Sequence, residues 1–220
     1  MRSKFDEQLA LLNDMLIEMG AMIENAITIA TSALVKLDAD LANEAMQYEE
    51  EIDLMEKKIE DLCMRLLLHH HPVARDLRMI SSALKMITDM ERIGDHAADI
   101  SEITLVLLEH PYVEKLELIP QMAEATAKMV TESIDAYVKM DLSLAEAVIK
   151  YDDVVDDLFN MVKTKLMEQI RSRGNGVGEH AIDLIMIAKY FERIGDHATN
   201  IAEWVVYSIT GSRWQKPGQE

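Results

Sequence analysis

"ERIGDHA" stands at Glu91–Ala97 and again, letter for letter, at Glu192–Ala198. Seven identical residues repeated within 220 mark an internal duplication. The likeness extends outward from that phrase. "ALVKLDADLANEAMQYEEEID" (Ala33–Asp53) aligns with "AYVKMDLSLAEAVIKYDDVVD" (Ala136–Asp156) at a constant offset of 103. The "ERIGDHA" copies are offset by 101, so the connection between the matched blocks is two residues shorter in the second copy.

Each copy reads as three helices. The first runs from about Phe5 to Leu37, where "DAD" breaks it and caps the next. The second spans about Leu41 to His69 and ends near "HHHP"; the third follows Pro72 and continues to about His110. "HPYVEKLELIP" reads as the boundary. Helices then recur over about Ile119–Met140, Leu142–Arg171 and Val177–Thr210, with "RSRGNGVG" as a mobile turn and "GSRWQKPGQE" as a frayed tail. The predicted fold is all-α: two tandem, pseudo-symmetric, antiparallel three-helix bundles, residues 1–110 and 111–220.

The third helix of each copy has an apolar arc wide enough for packing on two sides. Ile80, Leu84, Ile87, Gly94 and Ala98 form one stripe; Met79, Met86, Met90, Ile93 and Ala97 form a second beside it. The second stripe suits either the other bundle or a second copy of the chain, which predicts a homodimer. Gly94 and Gly195 fall in mid-helix, where each costs about 1 kcal/mol relative to alanine. Their recurrence predicts close helix packing or the approach of a ligand.

Composition excludes several classes. A formal net charge of −18 opposes nucleic acid or an anionic lipid surface as the main partner. Acid excess suits cations, or basic patches on other proteins. Cys63 is the single cysteine, so no intramolecular disulfide forms; within an apolar run it reads as a buried structural thiol. The N-terminus lacks the apolar region of a signal peptide, and no apolar stretch approaches a membrane span. A cytoplasmic location without membrane insertion is expected. No P-loop, HExxH, CxxC or dinucleotide-binding turn is present, so no catalytic or cofactor-binding residue is assigned.

The chemistry lies in the acids. Glu91 and Asp95, and in the second copy Glu192 and Asp196, are spaced i, i+4 on one helical face. The preceding helix carries Glu49 with Asp53, and Asp152 with Asp156, at the same spacing. A hairpin turning near residue 71 places Asp53 level with about residue 89; one near 175 places Asp156 level with about residue 194. Four carboxylates therefore converge in each copy, an oxygen-rich set suited to magnesium, manganese or iron. The bland alternative is a solvated acidic face salt-bridged by Arg92 and Arg193. His96 and His197 point away from these acids and read as hydrogen-bonding or interface residues. His69, His70 and His71 read as a solvated turn.

With these motifs in view, the chain resembles the PhoU family, bacterial accessory and regulatory proteins of phosphate transport. The resemblance rests on "FDEQLALLNDMLIEMG", both "ERIGDHA" phrases and "ERIGDHATNIAE", and it covers essentially the whole length. It implies two pseudo-symmetric three-helix bundles. It also implies multinuclear iron or zinc clusters on E/DxxxD motifs, which transfers to Glu91, Asp95, Glu192 and Asp196 with Glu49, Asp53, Asp152 and Asp156 facing them. The first copy has Asp99 where the second has Asn200, so the two sites differ in charge. The implied role is a negative regulator of the phosphate-starvation response and of phosphate uptake. Such an adaptor links the transporter ATPase PstB to the sensor kinase PhoR. The rival readings are a metal-dependent enzyme, a metal-storing helical bundle, and a metal-free scaffold for basic partners.

Overall fold

A computed structural model describes residues 2–70, 72–109, 117–173 and 178–214. Six α-helices follow in order: α1 (Arg2–Lys36), α2 (Ala39–His70), α3 (Ala74–Glu109), α4 (Ile119–Lys139), α5 (Leu142–Arg173) and α6 (Gly178–Thr210). The fold is all-α, as expected. Parts of the boundary phrase, of "RSRGNGVG" and of the tail, together with His71, lie outside the described residues.

The same device ends the first helix of each copy. Leu37 (φ 53°) and Met140 (φ 52°) adopt the left-handed conformation. The next N–H, of Asp38 or Asp141, then reaches back to the carbonyl of Ala33 at 3.0 Å or Ala136 at 2.9 Å. Asp38 Oδ1 accepts from the amides of Asp40 and Leu41 at 2.9 and 3.2 Å, and Asp141 Oδ1 from that of Leu144 at 3.1 Å. Each aspartate thereby satisfies donors at the start of the next helix.

α1, α2 and α3 pack into one bundle and α4, α5 and α6 into a second. The bundles join along two seams, α3 against α6 and α1 against α4, while among the described residues α2 and α5 touch only their own bundles. One continuous core results, which includes Leu16, Met86, Met90, Met129, Tyr137 and Phe191. The second stripe of α3 is therefore consumed inside the chain: Met86, Met90, Ile93 and Ala97 are all fully buried. Tyr137 crosses the joint, its buried hydroxyl donating to the Met79 carbonyl at 2.8 Å. Cys63 is buried, and desolvation pushes its thiol up to about 12, the inert state expected of a structural cysteine.

Two details differ from expectation. His69 and His70 belong to α2, not to a turn. The start of the tail is not frayed: the Arg213 guanidinium lies 4.6 Å over the Trp204 ring, and Trp214 packs against the core. An indole buried against an existing core outweighs the fraying tendency of a chain end.

Candidate metal centre

Close helix approach builds the site. A β-carbon on Gly94 would lie 2.9 Å from Ile52 Cδ1, so α3 seats directly on α2. Gly195 sits likewise on α5, against Asp152 and Val155. The mid-helix glycines thus serve close packing, one of their two expected uses. Because α2 continues through His70 and α3 begins at Ala74, the first hairpin reverses later than residue 71. Asp53 consequently meets Glu91 and Asp95, about one turn beyond the expected level. The second hairpin keeps its expected register.

In the first copy, Asp53, Glu91 and Asp95 each offer an oxygen, all within 4.8 Å of one another. Glu49, the fourth expected acid, is exposed on α2 and stands outside this trio; burial raises its pKa, followed by the charges of Asp95 and Asp53. Burial also raises Glu91, with Asp95 next in effect. A fifth carboxylate, Glu56, joins from α2 and pushes on Glu91 as well. The sequence contained this signal, because Glu56 follows Asp53 at i+3. It escaped the duplication argument because its counterpart is Phe159.

Arg92 partly compensates these charges. Its Nη1 donates to Asp95 Oδ2 at 2.8 Å, and its Nε lies 3.3 Å from Glu91 Oε2. The second contact lacks hydrogen-bond alignment, so Glu91 Oε2 is buried and accepts no hydrogen bond. That oxygen has the Arg92 charge beside it but no hydrogen bond, and its burial is costly unless a further cation or donor completes it. The residues therefore fit a metal ion: an all-oxygen donor set with one acceptor left over.

The second copy places the same four positions near enough to repel one another, but among the described residues no three of them bring oxygens within 4.8 Å, so the expected convergence is looser there. Asp152 is raised to about 6, by burial first, then by Asp196 and Asp156. The Thr199 hydroxyl beside it favours the ionised form without reaching full hydrogen-bond geometry. Burial raises Asp196 and Asp156 too, with the Glu192 charge second for both. Here the Lys189 ammonium bonds Glu192 directly and lies 5.4 Å over the Phe159 ring. The first copy has Thr88 and Glu56 at those positions. Lys189, not the expected Arg193, is thus the internal cation; Arg193 instead lies 5.8 Å over the Tyr190 ring.

His96 and His197 meet at the α3–α6 seam with ring centroids 5.6 Å apart. His197 Nδ1 is 2.8 Å from Asp89, which also accepts from Asn200 Nδ2 at 3.1 Å. His96 bonds Asp99 on its own helix at 3.2 Å and packs on Tyr190, the counterpart of Asp89. Both are interface histidines, as expected. The Asp99/Asn200 difference acts first at this seam.

The PhoU domain family matches residues 16–104 and again residues 119–205. The chain belongs to the PhoU family. Among curated PhoU relatives, a Clostridium acetobutylicum protein is 36% identical over 96% of this chain and 97% of its own length. One from Synechocystis is 34% identical over 96% and 94%. Both are named phosphate-specific transport system accessory protein PhoU homolog. The crystal structure of PhoU from Pseudomonas aeruginosa superposes with a TM-score of 0.89 at 32% identity, over 94% of this chain and all of that one. The PhoU regulatory protein of Streptococcus pneumoniae gives 0.88 at 25%, over 96% and 100%. No described helix of this PhoU-family chain is long and apolar enough to cross a membrane.

Proposed function

We propose that this chain is an accessory protein of phosphate-specific transport, acting from the cytoplasm as an adaptor between the transporter ATPase PstB and the sensor kinase PhoR. In high phosphate it restrains both uptake and the starvation response. The observation that carries this reading is the twofold PhoU-domain match, with curated relatives of nearly equal length named for that system. A chain without an assigned catalytic motif works by contact with other proteins, and its −18 charge suits basic surfaces on cytoplasmic domains.

The reading includes two cation sites, one for each of the units 1–110 and 111–220. Glu49, Asp53, Glu91 and Asp95 hold one, and Asp152, Asp156, Glu192 and Asp196 the other. Oxygen donors alone suit magnesium, manganese or iron better than zinc, which favours nitrogen and sulfur. Bound cations would neutralise the acids between α2 and α3 and between α5 and α6 and so fix these helix pairs. Self-association into a homodimer belongs to the same proposal. Its surface is the outer face of α2 or α5, where Leu54, Leu68 and Met161 are exposed, since the α3 stripe is already covered.

The test is a phosphatase reporter in high phosphate, comparing wild type, a deletion strain and the Glu91→Ala/Asp95→Ala variant. Derepression in the deletion strain is expected, with a partial effect in the variant. A fully repressed deletion strain, with no second copy of the gene, overturns the regulatory reading. Pull-down from native membranes reports on the adaptor contacts directly.

A further inference from the structure

On the seam away from the histidines, α1 and α4 cross antiparallel. A β-carbon on Gly20 would meet Ile134 Cδ1 at 2.5 Å, and Thr131 donates to Glu24 Oε2 at 3.1 Å. Where the helices diverge they leave a groove of about 560 Å³. Its floor is apolar and shallow-chained: Ile27 and Ala123 are buried, and Ala127 is half-buried. Small walls of this kind form a trench into which another helix can settle, at the roughly 8–10 Å separation of packed helices. The lining positions of α4 run from Pro120 to Glu132, about three turns or 18 Å. Among the described residues α2 packs on α1 but not on α4, and α5 on α4 but not on α1.

The rim selects the occupant. Glu24, Glu124 and Glu132 border the groove, against one cation, Lys128. That ammonium is already engaged, 3.9 Å from Glu132 and 4.4 Å over the Tyr151 ring. Two copies meeting through this face would set glutamates against glutamates in a chain already at −18. An anionic ligand meets the same repulsion. A helix with a small apolar face flanked by lysine or arginine satisfies both the floor and the rim.

We propose that the α1–α4 groove is a docking site for a basic amphipathic helix of a partner protein. The proposal rests on the adaptor reading and adds to it a surface and the chemistry of what that surface receives.

Two fluorescent peptides of about 14 residues test it, sharing one Leu/Ala face; one is flanked by lysines and the other by glutamates. Anisotropy titrations into the full chain are expected to show the lysine peptide binding about tenfold or more tighter than the glutamate peptide. Ala127→Trp, which plugs the trench, weakens the lysine peptide about tenfold. Thr28→Trp plugs it from an exposed position and keeps the test open if the first variant folds poorly. Glu24→Gln/Glu124→Gln/Glu132→Gln lowers affinity and flattens its salt dependence. Ile182→Trp, at an exposed position of α6, leaves binding unchanged.

No binding of the lysine peptide overturns the proposal, as does equal weakening by Ile182→Trp, which marks non-specific attraction to an acidic chain. Dissociation of a dimer by the plugs, seen in sedimentation, assigns the groove to a second copy and also overturns it. A plugged chain that still captures its partners from native membranes refutes the groove and leaves the adaptor reading standing.

Discussion

Gly195 carries α6 so close to Asp152 that a β-carbon there would stand 3.2 Å from the Asp152 Oδ1. Backbone proximity and carboxylate position are thus one feature of the molecule. Gly94 plays the same part against Ile52, but more tightly and against a buried aliphatic chain. Gly94→Ala gains about 1 kcal/mol of helix propensity and loses about 1–3 to overpacking. A net loss near 1 kcal/mol is expected, or a fall of about 2–4 °C in melting temperature. Gly195→Ala should be nearly neutral in stability yet weaken cation binding in the second copy. Equal effects of the two substitutions on stability and on binding would contradict this division.

Glu91→Ala/Asp95→Ala removes two carboxylates from the first cluster, one carrying the unmatched oxygen. Elemental analysis of protein purified without chelator should show the metal content of that site lost, with helical circular dichroism unchanged. Metal-free stability should rise by about 0.5–1 kcal/mol, because the pair repels itself and is partly desolvated. An unchanged stoichiometry would remove these residues from the metal assignment.

Lys189 already serves the second cluster as a cation. Lys189→Thr installs the residue found at the equivalent position of the first copy, Thr88. Calorimetric titration should then show divalent affinity rising there about fivefold, equivalent to roughly 1 kcal/mol. The metal-free protein should lose a comparable stability. Weaker binding in the variant would mean that Lys189 orients the ligands and does not compete with the ion.

Asp152 titrates near 6 when folded, against an ordinary 3.8. A raised acid favours the fold when protonated, so its ionisation removes stability as pH climbs from about 4 through about 6. In chelator, Asp152→Asn should abolish this part of the decline, gaining on the order of 1 kcal/mol at neutral pH, given the solvent that still reaches the group. His96, lowered mainly by burial, works in the opposite sense, so the informative quantity is the difference between the chain and the variant across pH. Parallel stability curves for the two proteins would show that Asp152 is not the titrating group. With cation present the trend reverses, since protonating Asp152 competes with the ion.

The contact between His197 and Asp89 joins the bundles, with both side chains largely shielded. A double-mutant cycle with His197→Ala and Asp89→Ala should give a coupling of about 0.5–1.5 kcal/mol. The parallel cycle for His96 and Tyr190, which share only a ring contact, should give less. The reverse order would mean that ring packing, not the polar contact, holds this seam.

The periodicity of α3 disclosed a helix buried on two sides, because apolar residues repeat at the helical period whatever their partners. The duplication likewise disclosed two bundles and the eight acids, since each acid sits at a fixed offset from its twin. Glu56 stayed hidden because its twin is Phe159, so the comparison of copies passed over it.

Sequence by itself determined the six helices, the "DAD" cap that opens α2, and which face each carboxylate occupies. Those are local properties, set within a few turns by propensity, capping and spacing. Tertiary structure alone decided the axial register of α2 on α3, which moved Asp53 one turn along to Glu91 and Asp95. It also decided that Lys189 and not Arg193 enters the second cluster, and that His197 reaches across to Asp89 while His96 turns to Asp99. Spacing fixes a side chain's angle around its own helix. What lies on the helix packed against it is settled by contacts between distant chain segments, as Asp53 with Glu91 between α2 and α3 and Asp89 with His197 between the two bundles.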